Sequence, residues 1–389
     1  MKLIDPITKF HAELQKIRRD IHAHPELSYE EQRTSDVVAQ KLTEWGIPVV
    51  RGMGVTGVVG IIKGGDGPRA IGLRADMDAL PMPELNTFPH ASKNAGKMHA
   101  CGHDGHTAML LGAAHHLSQH RDFDGIVYVI FQPAEEGGRG AERMIQDGLF
   151  EKYPMDAVFG MHNWPGMKVG TFGVTPGPMM ASSNEFEVIV KGKGSHAAQP
   201  HKAIDPVMTA VQIAQSWQTI VSRNANPNDP AVLSITQIHA GSAYNVIPGQ
   251  ARLCGTVRAF DDGVRALIRE RMRAICAGTA AAFQCEINAD IRDTFSVLVN
   301  QEEQSRIVEA VARTVVDPDK VITRTEPKMG SEDFADMMQV VPGAYFWVGH
   351  EGSVPVHNPG YVLDDKILPI GASLFARIIE TRMPAGSHA

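Results

Sequence analysis

Apolar residues in the first half of the chain gather into short, nearly unbroken runs, each followed at once by polar residues. Ile71-Gly72-Leu73 leads into Arg74-Ala75-Asp76-Met77-Asp78, and Ile126-Val127-Tyr128-Val129-Ile130-Phe131 leads into Gln132-Pro133-Ala134-Glu135-Glu136. Ala157-Val158-Phe159-Gly160-Met161 leads into His162. Runs of this kind, without alternation, predict strands buried on both faces, as in a parallel sheet covered by helices. Between them, residues 107–117 are apolar almost all round and predict a buried helix; a second helix over 141–149 follows a glycine-rich turn. Strands alternating with helices predict an α/β domain whose functional groups lie just past the strand ends.

The pattern changes after Pro176-Gly177-Pro178, which reads as a linker. Phe186, Val188 and Val190 alternate with Glu187, Ile189 and Lys191, as in a half-exposed strand. Val207, Ala210, Val211, Ala214, Trp217 and Val221 recur near the helical period, and strands over 232–238 and 252–258 follow. A second helix carries Val264, Leu267, Ile268, Met272 and Ile275 behind Asp261-Asp262, and a last strand covers 285–291. The order β-α-β-β-α-β is that of a ferredoxin-like unit. The expected organisation is a catalytic domain over residues 1–183 and 295–389, with a mostly parallel central sheet flanked by helices. A ferredoxin-like domain over 184–294 interrupts it.

With 389 residues, 43% of them hydrophobic and 21% charged, the chain has the composition of a globular protein of two domains. A net charge of −7 argues against nucleic acid or an anionic membrane as the main partner. No apolar run approaches the ~20 residues that span a bilayer. Asp5-Pro6 interrupts the N-terminus too early for a secretion signal. Four cysteines make no disulfide framework in a chain this long, so a reducing cytoplasm is expected and Cys101 is available as a thiolate.

The chemistry centres on His99-Ala100-Cys101-Gly102-His103-Asp104-Gly105-His106. An isolated Cys-x-His is more often a buried cysteine beside a satisfied histidine than a metal site. Here it has the company of Glu135, Glu136, His162 and His357, several of them directly after buried strands. A dispersed set of thiol, imidazole and carboxylate groups is the style of a catalytic metal site, whereas structural zinc draws on closed tracts of Cys and His. Cys101 and His103, two apart in a glycine-containing loop, can turn toward one metal. Adjacent carboxylates at Glu135-Glu136 repel each other unless cations sit there. One of the pair can bind metal while the other serves as a base. Asp76 and Asp78 end a buried strand, where an aspartate most often orients a ligating imidazole; the alternative, that one of them is itself a ligand, ranks lower because the five other groups already suffice. His22, His24, His115, His116, His120 and His239 have no comparable setting and read as surface or core histidines.

On these and further motifs the chain resembles the di-zinc peptidases that include aminoacylase, bacterial glutamate carboxypeptidase and succinyl-diaminopimelate desuccinylase. It is most similar to their amidohydrolase branch of hippurate hydrolases, N-acyl-amino-acid amidohydrolases and plant auxin-conjugate hydrolases. The motifs include Arg18-Arg19-Asp20-Ile21-His22-Ala23-His24-Pro25-Glu26, Leu73-Arg74-Ala75-Asp76-Met77-Asp78-Ala79-Leu80-Pro81 and residues 99–106. Residues 132–138, Gly194-Ser195-His196-Ala197-Ala198, Tyr244-Asn245-Val246-Ile247-Pro248-Gly249, Gly255-Thr256-Val257-Arg258 and Gly330-Ser331-Glu332-Asp333-Phe334 continue the match. The resemblance implies two divalent metal ions per subunit, with Cys101 bridging them. It gives His103 and His162 to one ion and Glu136 and His357 to the other, the pairing left open. It makes Glu135 the general base and the inserted domain a lid and dimerisation domain, whose His196 stabilises the oxyanion in the partner subunit of a homodimer. Asn245 and Arg258 would hold the substrate carbonyl and carboxylate, and the Gly330-Ser331 loop would add backbone donors. Gly194-Ser195-His196-Ala197 stands where Gly-Gly-His-Ala is usual, and Arg292-Asp293-Thr294-Phe295 where relatives carry a more basic, tyrosine-containing turn.

The expected reaction is hydrolysis of the amide of an N-acetyl- or N-benzoyl-amino acid. Metals activate a water, Glu135 moves its proton to the departing nitrogen, and Asp78 keeps the ligand set oriented. Zinc suits the donor set, and manganese or cobalt also fit it. A dipeptidase or carboxypeptidase on the same scaffold is the nearer alternative. A non-catalytic metal or ligand-binding protein is the more distant one, since binding alone needs no spare carboxylate.

Overall fold

The structure, a computed structural model, describes residues 1–386. The chain divides into two compact units: Met1–Met179 with Val299–Glu326 and Asp333–Ala389, and Met180–Leu298 with Pro327–Glu332.

The larger unit is built on an eight-stranded sheet. Its strands lie in the order Val49–Met53, Gly57–Lys63, Ile126–Gln132, Ala70–Asp76, Ala157–Pro165, Gly343–His350, Phe172–Gly173 and Val321–Ile322. The four central strands, Ile126–Gln132 through Gly343–His350, run parallel; the first two pairs and the Gly343–His350/Phe172–Gly173 pair are antiparallel. The expectation of a mostly parallel sheet flanked by helices therefore holds. Every residue of Gly343–His350 is buried, as are six of the seven in both Ile126–Gln132 and Ala70–Asp76. That two-sided burial is why these strands read as unbroken apolar runs.

Helix His103–Gln119 is the crossover from Ala70–Asp76 to Ile126–Gln132, and nearly all its residues are buried. It packs against helices His11–Ala23 and Leu368–Arg382. Gly112 permits the close approach, because a Cβ there would lie 2.8 Å from Leu14. From Ile126–Gln132 the chain passes back to Ala157–Pro165, on the other side of Ala70–Asp76. The carboxyl ends of the central strands thus meet where the winding direction reverses, the usual place for a site in an open α/β sheet. The helix expected over 141–149 forms as Gly140–Gln146 and Leu149–Lys152, broken at Gly148, whose φ of +87° no helix accommodates.

The smaller unit is a four-stranded antiparallel sheet in the order Ala231–Ala240, Gln250–Ala259, Ser182–Lys191, Glu286–Phe295. Helices Pro206–Thr219 and Asp262–Phe283 complete the β-α-β-β-α-β order. Asp205 and Asp261 cap them, the first accepting from the backbone N–H of Val207 and Met208 and the second from that of Val264. One sheet face buries Phe186, Val188, Val190, Leu253 and Val257 against Ile213, Trp217, Ile268 and Met272. This is the ferredoxin-like arrangement expected from the strand alternation and the two helical spacings. Among the described residues, no helix is long and apolar enough to cross a membrane.

Candidate active site

Four loops and one helix start bring the chemistry together at the carboxyl edge of the larger sheet. Asp76 ends its strand and Asp78 follows it; Glu135 and Glu136 follow Ile126–Gln132; His162 and Asn163 lie in the last half of Ala157–Pro165. Cys101 precedes helix His103–Gln119, and His103 is the first residue of that helix rather than part of a shared loop with Cys101. Gly102 makes the change of direction. Its φ is +96°, and a Cβ there would sit 2.2 Å from Asn163 Nδ2, so only glycine fits between the two candidate ligands. His357 and Ala134 hold positive φ without being glycine, at +61° and +55°. Such strain persists only where the surroundings impose it.

The donor atoms cluster as metal sites do. Atoms of Cys101, His103 and His162 lie within 4.8 Å of one another, and so do those of Cys101, Glu136 and His357, and of His103, Glu135 and Glu136. Cys101 is common to the first two groups. Its Sγ is 3.2 Å from His162 Nε2, and His357 Nε2 is 3.1 Å from Glu136 Oε1. Both ring nitrogens of His103 are buried without a hydrogen-bond partner. His103 Nδ1 nonetheless lies 3.3 Å from Asp78 Oδ1, and Nε2 lies 3.9 Å from carboxylate oxygens of both Glu135 and Glu136.

The electrostatics describe an anionic cage around imidazoles. Burial, then the charges of Glu136, Glu135 and Asp76, pushes the Cys101 thiol well above its usual range. Burial opposes charge on His103, but Asp76 and Asp78 outweigh it and push the ring up to about 10. Burial holds His162 well below the ordinary histidine value, with His106 adding to it. A bound divalent cation would suit all three: it would favour the thiolate of Cys101, take the place of a proton at His103 and accept His162 as the neutral ring. The orphaned His103 nitrogens and the thiol, imidazole and carboxylate donors therefore fit a metal pair.

Supporting groups fix this cage from behind. Asp78 accepts from the backbone N–H of Glu135 and of Glu136, each at 3.0 Å, and from Ser28 Oγ at 2.8 Å. It thus aims the Glu pair while facing His103. Glu31, a residue the sequence did not single out, accepts from Ala134 N at 2.9 Å and Thr56 Oγ1 at 2.6 Å, and its burial pushes it up to about 7. His106 stands in the histidine-rich stretch, but nothing in the sequence gives it a role. Its Nδ1 donates to Asp76 at 2.6 Å, leaving Nε2 to accept from Asn163 N at 2.9 Å. Asn163 Nδ2 in turn donates to Cys101 O at 2.6 Å, and Asn163 Oδ1 accepts from Tyr361.

A second group whose role the sequence does not show is His22, which is no ordinary core histidine. Its Nδ1 is 2.8 Å from Asp104, the neighbour of His103, and its Nε2 is 3.1 Å from Glu84. Arg18, one helical turn earlier, reaches Asp104 at 3.4 Å and pairs with Asp365. The sequence signal was Arg18 and His22 standing beside Leu14, Ile17 and Ile21 on the buried stripe of helix His11–Ala23.

The remaining candidate residues belong to the smaller unit. His196 is exposed on a two-residue strand paired with Val246, and Ala197 N donates to Asn245 O, which brings His196 and Asn245 side by side. Arg258 lies near the end of Gln250–Ala259, on the sheet face without helices. It is half-buried and makes no ion pair among the described residues; burial lowers its pKa, partly offset by Glu185. Gly330 O accepts from Ala181 N, and Ser331 Oγ is buried without a hydrogen-bond partner.

Comparison with known proteins agrees with this chemistry. The model of peptidase family M20/M25/M40 matches residues 72–381. A hippurate hydrolase of Campylobacter jejuni is 42% identical over 378 residues, 97% of this chain and 98% of that protein. Thermostable carboxypeptidase 2 of Saccharolobus solfataricus is 39% identical over 382 residues, 95% of each chain. A crystal structure of a dinuclear metal-binding peptidase of family M20 from Bacillus subtilis superposes with a TM-score of 0.84 at 36% identity, covering 97% of this chain and 99% of that one. With the anionic cage at the sheet edge and a family match across most of its length, this chain belongs to peptidase family M20/M25/M40 and is a hydrolase of its amidohydrolase branch.

Proposed function

We propose that the protein hydrolyses the amide bond of N-acyl amino acids, such as N-acetyl- or N-benzoyl-amino acids, to a carboxylic acid and a free amino acid. The observation that carries this reading is the sharing of Cys101 between two ligand groups, with Glu135 beside them. Cys101, His103, His162, Glu136 and His357 would hold two divalent ions, zinc by donor chemistry, with manganese or cobalt also suited. Bound there, such ions supply Lewis acidity and a water of lowered pKa. Glu135 takes the proton of the attacking water and delivers it to the departing amide nitrogen. Asp78 keeps Glu135 and Glu136 aimed through their backbone N–H groups. His196 stabilises the oxyanion and Asn245 the substrate carbonyl. The half-buried Arg258, without an ion pair among the described residues, receives the product-side carboxylate, with Gly330 and Ser331 adding donors.

The working form in this reading is a homodimer. Strand Ala231–Ala240 is an edge strand with Val232 and Ile238 exposed, a surface suited to a second copy of the chain. The carboxypeptidase reading is supported by the likeness to thermostable carboxypeptidase 2 of Saccharolobus solfataricus. The test is kcat/KM for benzoyl-glycine, acetyl-amino acids, their carboxamides and unblocked dipeptides, with zinc or manganese added. N-acyl acids should be cleaved far faster than their carboxamides and than dipeptides. Losing a charge-paired carboxylate contact costs about 2–5 kcal/mol, so equal rates for acid and amide would overturn the reading.

A further inference from the structure

Strand Ala157–Pro165 carries more than its histidine. Successive side chains alternate across a sheet, so His162 and Trp164 share one face while Asn163 turns to the other. In the parallel neighbour, Trp347 lies opposite His162 and Tyr345 opposite Gly160. The Trp164 and Trp347 rings stack, with centroids 4.3 Å apart and planes at 24°. His162 stands 6.4 Å from Trp164 and 6.4 Å from Tyr345, centroid to centroid.

Burial divides the labour within this row. Trp347 is 2% exposed, and its indole N–H is buried without a partner. Phenylalanine would fill that place without stranding a donor, so packing alone does not account for the indole. Trp164, two residues past a proposed metal ligand, stays half-exposed. Trp347 therefore backs the Trp164 ring, whose centroid stands 6.4 Å from that of His162, a proposed metal ligand. Aromatic rings pair by offset stacking or edge contacts, and a ring held by a second ring loses little freedom when a third arrives.

We propose that Trp164, supported by Trp347, forms the acyl-side wall of the site and selects N-aroyl over N-acetyl amino acids. This rests on the reading of the protein as an N-acyl-amino-acid hydrolase. The acyl group is joined to the scissile carbonyl, which must lie beside His162, and the indole is the large apolar surface nearest to that residue on its own strand. A benzoyl ring can lie on or edge against the exposed part of Trp164, whereas an acetyl methyl gains little there.

The test compares benzoyl-glycine with acetyl-glycine in the metal-loaded wild type, Trp164→Ala and Trp164→Phe. Trp164→Ala should lower kcat/KM for benzoyl-glycine about tenfold more than for acetyl-glycine, chiefly through KM. Trp164→Phe, which keeps an aromatic face, should preserve most of the preference. Equal losses on both substrates would overturn the proposal. A turnover-free arm separates it from the functional reading: benzoate, and not acetate, should perturb the tryptophan fluorescence of the wild type, an effect lost in Trp164→Phe. If the wild type cleaved neither amide, the functional reading would fail, and the benzoate titration would still decide the subsite. No benzoate response in the wild type overturns it.

Discussion

Replacing His22 with glutamine removes the cation that two buried carboxylates share beneath the proposed metal-binding loop. His22 is 1% exposed, 2.8 Å from Asp104 and 3.1 Å from Glu84. Burial pulls its pKa down, but the charge and hydrogen bond of Asp104, with Glu84 adding, push it up to about 9. Removing one partner of a buried ion pair costs about 3–5 kcal/mol. Asp104 keeps Arg18 at 3.4 Å, and Glu84 keeps Ser92 N and Asn86 Nδ2, so the loss should fall near the lower end, about 3 kcal/mol. With a urea dependence of about 3 kcal/mol/M, that moves the unfolding midpoint by about 1 M. Three of the four tryptophans, Trp45, Trp164 and Trp347, lie in the larger unit, so fluorescence reports chiefly on its unfolding. Chelated protein keeps metal linkage out of the comparison. Because the folded pKa is raised, the contribution is complete below the unfolded value of 6.5 and is lost as pH rises through about 9. The gap between wild type and variant should therefore be widest near pH 6 and close by about pH 10. A gap that stays constant across that range, or no gap at all, would refute the charge-clamp reasoning.

Glu135→Gln should abolish hydrolysis while metal content stays near that of the wild type, measured by elemental analysis; lost metal would mean that Glu135 is a ligand. Mixing Glu135→Gln with His196→Ala subunits under exchange should restore part of the activity, because one site of a mixed dimer pairs an intact Glu135 with the neighbour's intact His196. No recovery in proven heterodimers would assign His196 to its own chain or to no catalytic role.

The parts of this architecture that the sequence exposes are those with a repeating burial pattern. Ile126–Gln132 and Ala157–Pro165 are legible because burial on both faces leaves them almost no polar residues. Ser182–Lys191 is legible because one face alone is buried. Phe172–Gly173 and Val321–Ile322 are too short to show any period, and they join the sheet only through long-range pairing. The candidate ligand residues stand out by chemical type: Glu135, Glu136 and His162 go with buried strands, and the Cys101 thiol stands beside them just before a helix. Their supports do not. His22 and Asp104 are 82 residues apart, and Glu31 and Ala134 are 103 apart, so only folding reveals that they meet. Gly102 reads as a turn residue, which predicts a loop at His103; in the structure the left-handed backbone of Gly102 starts the helix there.

The central claim, a two-ion amidohydrolase site assembled on a shared Cys101, is tested most directly by metal titration of the chelator-treated protein. Zinc or manganese is added in steps while benzoyl-glycine hydrolysis and bound metal per chain are followed together. The account predicts an inactive apoprotein whose activity rises to a plateau at two ions per chain, with Cys101→Ala failing to reach that stoichiometry. Full hydrolysis without metal, or a plateau at a single ion that Cys101→Ala leaves unchanged, would contradict it.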